Sequence, residues 1–342
     1  MKISIGFKIV DGPWGGGNSF VSGLSKALVA RGHEVVFDLK TNDIDIIMII
    51  DPRSRVANIP YSIGQLLRYI LYKNPRAIVL HRINECDERK NTRTMNFRLR
   101  IANYVADHTI FVGSWLRDLK VWCPSDKHEN SVILNGADPT IFNNPNRRLW
   151  SGDGPLKLVT HHWGGNWMKG FDIYTHLDEL LCTPEWRDRI KFTYIGNLPK
   201  GFAFKKAKHL QPLNNFELAA ELSKYDAYVT GSMNEPGSNH QNEGALCLLP
   251  LLYRNSGCLP EYCDGFGISF DGVSDFETAL QQMIDEYPRW FDRMPEYPHK
   301  IGATVNNYID LIEDVYKRRD IISTMRKPMR NPLFALLTQV LP

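Results

Sequence analysis

Short runs of β-branched and apolar residues alternate with amphipathic segments along nearly the whole chain, and this alternation constrains the fold more than any other feature. In the first half the strand-like runs are 3–9, 35–39, 44–50, 77–80, 109–112 and 132–134. Residues 18–30 and 63–72 instead carry apolar side chains at three- and four-residue spacing, which is typical of helices that lie on a sheet. This order of elements predicts a doubly wound parallel sheet with helices on both faces.

The pattern stops once and then begins again. After Phe142 the sequence NNPNRRLWSGDGP is rich in Asn, Pro, Gly and charge, as linkers are. Strand-like and helical runs then resume at 156–160, 171–181, 191–195, 217–223, 227–230 and 244–249. Because 342 residues exceed what one hydrophobic core usually organises, we expect two α/β domains, at 1–148 and 149–303. Residues 304–342 are predicted to form a closing helix and a tail that packs back on the first domain.

Charge and hydropathy argue against several classes of protein. The 41 basic and 38 acidic residues are nearly balanced, so charge does not indicate a nucleic-acid partner. No stretch of about 18 apolar residues predicts a membrane span, and the N-terminus MKISIGFKIV lacks the pattern of a signal peptide. We therefore expect a cytoplasmic protein. The apolar tail leaves peripheral contact with the inner face of a membrane open, although its lack of a basic amphipathic face favours packing.

Two polar segments follow strands of the first predicted domain. GPWGGGNSF, residues 12–20, comes after the first strand and opens a helix, where glycines allow a tight turn and close approach to an anionic ligand. It is not the GxGxxG pattern, and a turn without a ligand is as consistent with it. His81 stands where a strand is expected to end, at the carboxyl edge that holds ligands in open α/β sheets. A lone histidine at such a place is more often structural.

The segment LVTHHWGGNWMKGFDIY, residues 158–174, repeats the order of strand, glycine-containing loop and helix. The helix is expected to begin near Lys169, where the helix dipole disfavours a cation unless an anion shares the site. His161 and His162 are neighbours at the strand end, so their side chains point to opposite faces. At most one of them is expected to face a ligand, and the other to be packed and hydrogen-bonded.

The segment GSMNEPGSNHQNEGALCLLPLLY, residues 231–253, is the most informative. Glu235 follows a strand, and Glu243 comes before a helix predicted over 244–249. A carboxylate at a helix start is often only a cap, but carboxylates also bind vicinal hydroxyl groups, as sugar recognition requires. The loop between the two glutamates, whose backbone N–H groups suit hydroxyl or phosphate oxygens, contains Pro236, Gly237, Ser238 and Asn239.

Together these segments resemble the retaining glycosyltransferases of family 4, which have the GT-B fold. Glu235 and Glu243 match the paired glutamates of that family, which are separated by seven residues. GGGNSFVSGLSKALVARGHEV is similar to its N-terminal glycine loop and helix, and VILNGADPTIF to the end of its first domain. KGFDIY resembles its phosphate-binding lysine region, and SGCLPEYC the stretch after its donor helix. The five segments occur in the family's order over most of residues 1–290, which implies two Rossmann-like doubly wound domains facing across a cleft.

The resemblance also implies roles for individual residues. Lys169 would contact the donor diphosphate, Glu243 the nucleotide ribose and Glu235 the transferred sugar. The residues assigned to catalysis are His81, which would lie against the donor sugar, Glu235 and Lys169. The residues assigned to donor binding are Gly16, Gly17, His162, Lys169, Glu235, Gly237, Ser238, Asn239 and Glu243.

One departure from the family concerns phosphate binding. Family members carry an arginine a few residues before the lysine, whereas this chain reads THHWGGNW there. The candidates to replace its charge are His162, Arg82 and Arg254.

The implied reaction moves a sugar from a UDP- or GDP-sugar to a hydroxyl of a glycan, lipid or other acceptor, with retention of configuration. No DxD motif stands at the end of a predicted strand, so no metal is expected, and Lys169 and the glycine loops would neutralise the leaving diphosphate. No cofactor is expected either, because the nucleotide sugar is itself a substrate. No carboxylate is an obvious nucleophile, so the resemblance implies attack from the face that the diphosphate leaves.

Three alternatives share part of this pattern. An epimerase or a phosphorylase can be built on the same scaffold, because a fold does not fix a reaction. A dehydrogenase is disfavoured, because no acidic residue follows the second strand in the manner of a dinucleotide site. A nucleotide-sugar-binding protein without turnover is kept open by the missing arginine.

Overall fold

The computed structural model describes residues 1–9, 16–54, 56–122, 128–326 and 331–340. The chain divides into two compact units, Met1–Leu134 with Gly302–Pro342, and Asn135–Ile301. Each unit contains a six-stranded parallel sheet flanked by helices, which confirms the predicted α/β architecture. Within the described ranges, no helix combines the length and the apolar character needed to cross a bilayer.

The central strands of the first sheet are fully buried, as expected for strands with helices on both faces. The strands are β1 (Lys2–Ile5), β2 (Glu34–Val36), β3 (Ile46–Ile49), β4 (Ile78–Ile83), β5 (His108–Phe111) and β6 (Glu129–Val132). They lie in the order β2-β1-β3-β4-β5-β6. The direction of winding reverses between β1 and β3, so the switch point of this sheet lies at the end of β1.

The second sheet has the strand order of a dinucleotide-binding fold. Its strands are β7 (Leu156–His162), β8 (Ile190–Gly196), β9 (Lys208–Leu210), β10 (Ala227–Thr230), β11 (Leu251–Arg254) and β12 (Gly267–Phe270). They lie in the order β12-β11-β10-β7-β8-β9, all parallel. The winding reverses between β7 and β10, and ligands of such sheets bind outside the carboxyl ends of the two strands at that point.

Helices cover both sheets. In chain order they are α1 (Gly16–Ala30), α2 (Ile63–Tyr72), α3 (Met95–Asn103), α4 (Phe171–Leu180), α5 (Asn215–Leu222), α6 (His240–Leu246), α7 (Leu259–Cys263), α8 (Val273–Asp285), α9 (Tyr287–Arg293), α10 (Ile301–Lys317), α11 (Arg319–Met325) and α12 (Pro332–Val340). Helices α4 to α9 belong to the second unit, and the others to the first apart from Ile301.

Local sequence explains where α2 begins. Ser62 and Gln65 form a capping box that satisfies backbone N–H groups at the start of α2.

Packing around Tyr308 holds several elements of the first unit together. Tyr308 of α10 is fully buried, and its ring centroid lies 4.8 Å from that of Phe20 in α1. Nε of Arg82 donates to the Tyr308 hydroxyl at 3.1 Å, so α1, β4 and α10 are tied together in the first unit.

Two boundaries differ from those predicted. The first unit ends at Leu134, before the predicted linker, because Asn135 is bonded within the second unit: its N–H donates to the Tyr262 hydroxyl at 2.6 Å. The helix predicted over 244–249 is α6, which begins at His240, and the rest of that apolar run becomes β11. Leu248 separates the two with a left-handed φ of 64°. Apolar residues continue through both elements, so their spacing could not divide them.

Candidate functional site

The strongest candidate site lies where β7 and β10 are neighbours, at the carboxyl edge of the second sheet. The loop after β7 leads to Lys169, and the loop after β10 leads to Glu235. Register pairs Leu158 with Ala227 and Val159 with Tyr228, so both strands deliver their following loops to the same edge. Strand order, which the sequence did not reveal, therefore brings these two predicted residues together.

Two glycines allow the loops to touch. Gly170 has φ of +100°, and a Cβ placed on it would lie 2.4 Å from the carbonyl carbon of Gly231. Neither the left-handed backbone nor the spacing would tolerate a side chain there. The N–H of Met233 also donates to the carbonyl of Met168 at 2.9 Å. This backbone contact fixes the position of Lys169 relative to the loop that carries Glu235.

Lys169 and Glu235 form an ion pair at this contact. Nζ of Lys169 lies 3.5 Å from Oε2 of Glu235, and their side chains are 15% and 6% exposed. The helix expected to begin near Lys169 is α4, which begins only after it, with Gly170 as its N-cap residue. Lys169 ends a short 3₁₀ turn, Trp167–Lys169, so it stands ahead of the helix N-terminus.

The backbone of Glu235 is held by the turn that contains Gly257. The N–H of Cys258 donates to the carbonyl of Glu235 at 2.8 Å, and the N–H of Asn234 donates to Oγ of Ser256 at 2.9 Å. Gly257 has φ of +61°, and a Cβ on it would lie 2.4 Å from the backbone nitrogen of Glu235. Glycine is thus required at this position both for its conformation and for the space it leaves.

We expect Gly257→Ala to destabilise the protein by about 1–3 kcal/mol more than Gly265→Ala, because only the first adds a steric clash to the cost of a left-handed residue. Gly265 is the matched control, since its φ is +81° and a Cβ on it would meet nothing within 4 Å. Urea unfolding of both variants measures the difference. Equal loss of stability in the two variants would contradict the role given to the Gly257 turn.

Glu243 lies in the first turn of α6 and is bonded to a histidine of β7. Nε2 of His161 lies 2.6 Å from Oε2 of Glu243, and Nδ1 of His161 lies 3.1 Å from the hydroxyl of Tyr228. Burial raises the pKa of Tyr228 well above its usual value, so its hydroxyl stays protonated. The Tyr228 proton has two acceptors within reach, Nδ1 and the carbonyl oxygen of His161, the latter at 3.3 Å. A carboxylate can only accept, so in its hydrogen bond with Glu243 the donor is Nε2–H of His161.

His161 is therefore a site residue that the sequence did not identify as such. The sequence showed two histidines at the strand end but gave no sign of which one meets Glu243, because that depends on the packing of α6 against β7. His162 is 2% exposed, and its Nε2 lies 2.7 Å from the hydroxyl of Tyr174. Its ring centroid lies 4.5 Å from that of His240. The structure thus places His162 in a packed interior position, and its donor-binding role stays a prediction.

Side-chain hydrogen bonds also fix the loop between Glu235 and Glu243. The carbonyl of Gly237 accepts from Nδ2 of Asn135 at 2.5 Å, and Oγ of Ser238 donates to Oε1 of Gln241 at 2.5 Å. Asn239 occupies the N-cap position of α6 without a side-chain capping bond. Asn135 therefore positions this loop, a role that no pattern in the sequence indicated.

Two of the residues considered as replacements for the missing arginine, Arg254 and Arg82, are bound to other parts of the fold. Nη1 and Nη2 of Arg254 donate to the Asp172 carboxylate at 3.1 and 2.5 Å, Nη1 also to the carbonyl of Gly231 and Nε to that of Asp271. Arg254 is 7% exposed, so it serves to clamp α4 to the ends of β10 and β12. Arg82 lies in the first unit, buried on the ring of Phe20.

The remaining predicted residues lie in the first unit. His81 does not end its strand, as the sequence suggested, because β4 continues to Ile83. Its side chain is fully buried, Nδ1 lies 2.9 Å from Oδ1 of Asn103, and burial lowers its pKa to about 4, so the ring is neutral near pH 7. Gly16 and Gly17 begin α1, while residues 12–15 of the glycine loop lie outside the described residues.

Comparison with known proteins identifies the fold. No family model and no curated protein matches the sequence. Among solved structures, the chain is similar to sucrose-phosphate synthase (tll1590) from Thermosynechococcus elongatus, with a TM-score of 0.63, 13% identity and coverage of 93% of this chain and 99% of that one. The chain is also similar to a glycosyltransferase from Rickettsia africae, with a TM-score of 0.63, 11% identity and coverage of 92% of this chain and 98% of that one.

A third similar structure is Anabaena Alr3699/HepE in complex with UDP-glucose, with a TM-score of 0.62, 12% identity and coverage of 92% of this chain and 100% of that one. These neighbours are glycosyltransferases of the GT-B fold, and the chain shares that fold. In the described ranges, no group of three or more His, Cys, Asp or Glu side chains is arranged to bind a metal ion.

Proposed function

We propose that this chain is a retaining glycosyltransferase of the family 4 type, which moves a sugar from a nucleoside-diphosphate sugar to a hydroxyl of a glycan, lipid or other acceptor. The observation that carries the proposal is the placement of Lys169, Glu235 and Glu243 at the switch point of the second sheet. One cation and two carboxylates at such an edge suit a ligand that combines a diphosphate with vicinal hydroxyls. Complexes of the neighbour HepE with UDP and with UDP-glucose support this choice of ligand class.

Lys169 is the group proposed to stabilise the leaving diphosphate. Cleavage of the sugar–phosphate bond develops negative charge on the phosphate oxygens, and a cation fixed nearby in advance lowers the barrier. The Glu235 carboxylate, 3.5 Å from Nζ, holds the lysine in place before the donor arrives. We propose that the diphosphate then shares Lys169 with Glu235, whose oxygens accept from hydroxyls of the transferred sugar.

Glu243 is proposed to bind the nucleotide ribose. His161 occupies Oε2 of the carboxylate, which leaves Oε1 to accept from a ribose hydroxyl. The hydrogen bond from His161 also fixes the rotamer of Glu243, so little side-chain entropy is lost when the ribose binds. The retaining course, with attack from the face that the diphosphate leaves, and a role for the neutral His81 against the donor sugar, follow from the family resemblance.

Binding and turnover can be tested in two stages. A screen of nucleoside diphosphates by thermal denaturation should find at least one that stabilises the fold by about 2.7 kcal/mol when present at about 100 times its dissociation constant. Sugar conjugates of that nucleotide are then incubated with and without candidate acceptors. A transferase releases the nucleoside diphosphate faster when an acceptor is present, whereas an epimerase converts the sugar without one. Stabilisation by none of the nucleotides would refute the proposal.

A further inference from the structure

Helix α12 has one face that packs within the first unit. Ala335 and Thr338 are 7% and 2% exposed, and the helix lies against α2 and α3. A Cβ placed on Gly64 of α2 would lie 2.5 Å from the carbonyl oxygen of Thr338, so the two helices approach very closely. Oε1 of Gln339 also accepts from Nε and Nη2 of Arg68 at 2.9 and 2.6 Å. These contacts fix which face of α12 points outward.

The outward face of α12 is apolar. Leu333, Leu336 and Val340 are 61%, 60% and 64% exposed, and their spacing of three and four residues places them on one stripe, opposite Ala335 and Thr338. An ordinary surface helix carries polar residues there. Three large apolar side chains in a row on the outer face of a helix mark a surface that is covered by something else.

The charge around this stripe indicates what covers it. The segment 62–76, which includes α2, and the described residues 331–340 contain three basic residues and no acidic one, although the chain as a whole is almost balanced. One of the three, Arg76, is paired with Asp320 at 2.6 Å, so the positive charge beside the stripe is that of Arg68 and Lys73. Arg68 and Lys73 are exposed; Arg68 donates to the amide oxygen of Gln339, and Lys73 donates to the backbone carbonyls of Leu39 and Lys40. Tyr72, at the end of α2, is 82% exposed and adds an aromatic side chain of the kind that favours lipid headgroups.

We propose that the outward face of α12 docks on an anionic lipid bilayer. The stripe of Leu333, Leu336 and Val340 enters the boundary between headgroups and acyl chains, and Arg68 and Lys73 meet the lipid phosphates. A second copy of this chain is a poorer occupant, because a two-fold interface would bring the same basic residues of both copies together without acidic partners. This inference goes beyond the proposed function and does not depend on it.

The test uses the full chain and lipid vesicles, sedimented at low and high salt. We expect binding to vesicles of phosphatidylcholine with phosphatidylglycerol, and weaker binding to phosphatidylcholine alone. Replacing Leu333, Leu336 and Val340 together by serine should lower partitioning about tenfold or more, because each side chain loses its contact with the acyl region. The matched control is Phe216→Ser, which removes a 70% exposed apolar side chain from the second unit and should leave binding unchanged.

The charge component is tested separately. Arg68→Gln with Lys73→Gln should reduce binding to the anionic vesicles by about fivefold or more and weaken its dependence on salt. If the triple serine variant does not fold, Leu336→Glu, which changes one exposed residue, replaces it. The proposal is overturned if the wild-type chain stays in the supernatant with anionic vesicles, or if the stripe variants bind as well as the wild type. It is also overturned if light scattering shows a wild-type dimer that the stripe variant lacks.

Discussion

Replacing Lys169 by alanine is expected to weaken binding of a nucleoside diphosphate by tenfold or more. The variant removes the charge-assisted contact proposed between Lys169 and the diphosphate, and such a contact is worth about 1.5–3 kcal/mol. It also removes the positive charge that lies 3.5 Å from the Glu235 carboxylate, whose side chain is only 6% exposed, so this carboxylate is expected to repel a diphosphate in the proposed site. Both effects lower the affinity for the nucleoside diphosphate. Calorimetric titration with the nucleotide found by thermal denaturation measures the change.

The matched control is Lys157→Ala. Lys157 lies near the amino end of the same strand, β7, and is exposed, so its removal should not change nucleotide affinity. Because loss of the neighbouring Lys169 charge beside the buried Glu235 carboxylate is expected to destabilise the single variant, the double variant Lys169→Gln with Glu235→Gln serves as a second probe that removes both charges together. If a folded Lys169→Ala protein binds the nucleotide as tightly as the wild type, Lys169 is not part of the donor site.

Glu243→Gln is expected to weaken both the free nucleoside diphosphate and the intact donor by about tenfold or more, whereas Glu235→Gln should weaken only the intact donor. A hydrogen bond from a ribose hydroxyl to a carboxylate is stronger than one to an amide, by roughly 1 kcal/mol or more. Glutamine at 243 can still accept from Nε2 of His161, so the packing of α6 should survive. Titration of each variant with the nucleotide and with its sugar conjugate separates the two roles.

The ion pair between Lys169 and Glu235 determines in which direction Glu235→Gln should change the affinity for the free nucleotide. In Glu235→Gln the Lys169 ammonium is no longer shared with a carboxylate 3.5 Å away, so the free nucleotide should bind as tightly as to the wild type or more tightly. Both substitutions are nearly isosteric and remove one charge, so general damage to the fold affects them alike. Equal loss of nucleotide affinity in the two variants, or no loss in either, would show that the roles are assigned wrongly.

Much of the architecture was accessible from the sequence, because parallel strands buried on both faces have a local signature. The runs at 44–50, 156–160 and 227–230 correspond to β3, β7 and β10, and the alternation with helices predicted the two doubly wound sheets. The run at 245–253 was harder, since it contains the end of α6 and the start of β11 in one apolar stretch. Residues 247–250 separate the two elements, and although Pro250 marks a break before β11, nothing in the side chain of Leu248 predicts its left-handed conformation.

What the sequence determined by itself was therefore the class of fold and the residue types at strand ends, since both follow from local periodicity and from the position of polar residues after apolar runs. Tertiary structure decided which strand ends are neighbours. The adjacency of β7 and β10 brings Lys169 to Glu235, which is 66 residues further along the chain. Packing of α6 brings Glu243 to His161, 82 residues away. Such contacts depend on strand order, and strand order is a property of the whole sheet that no local pattern encodes.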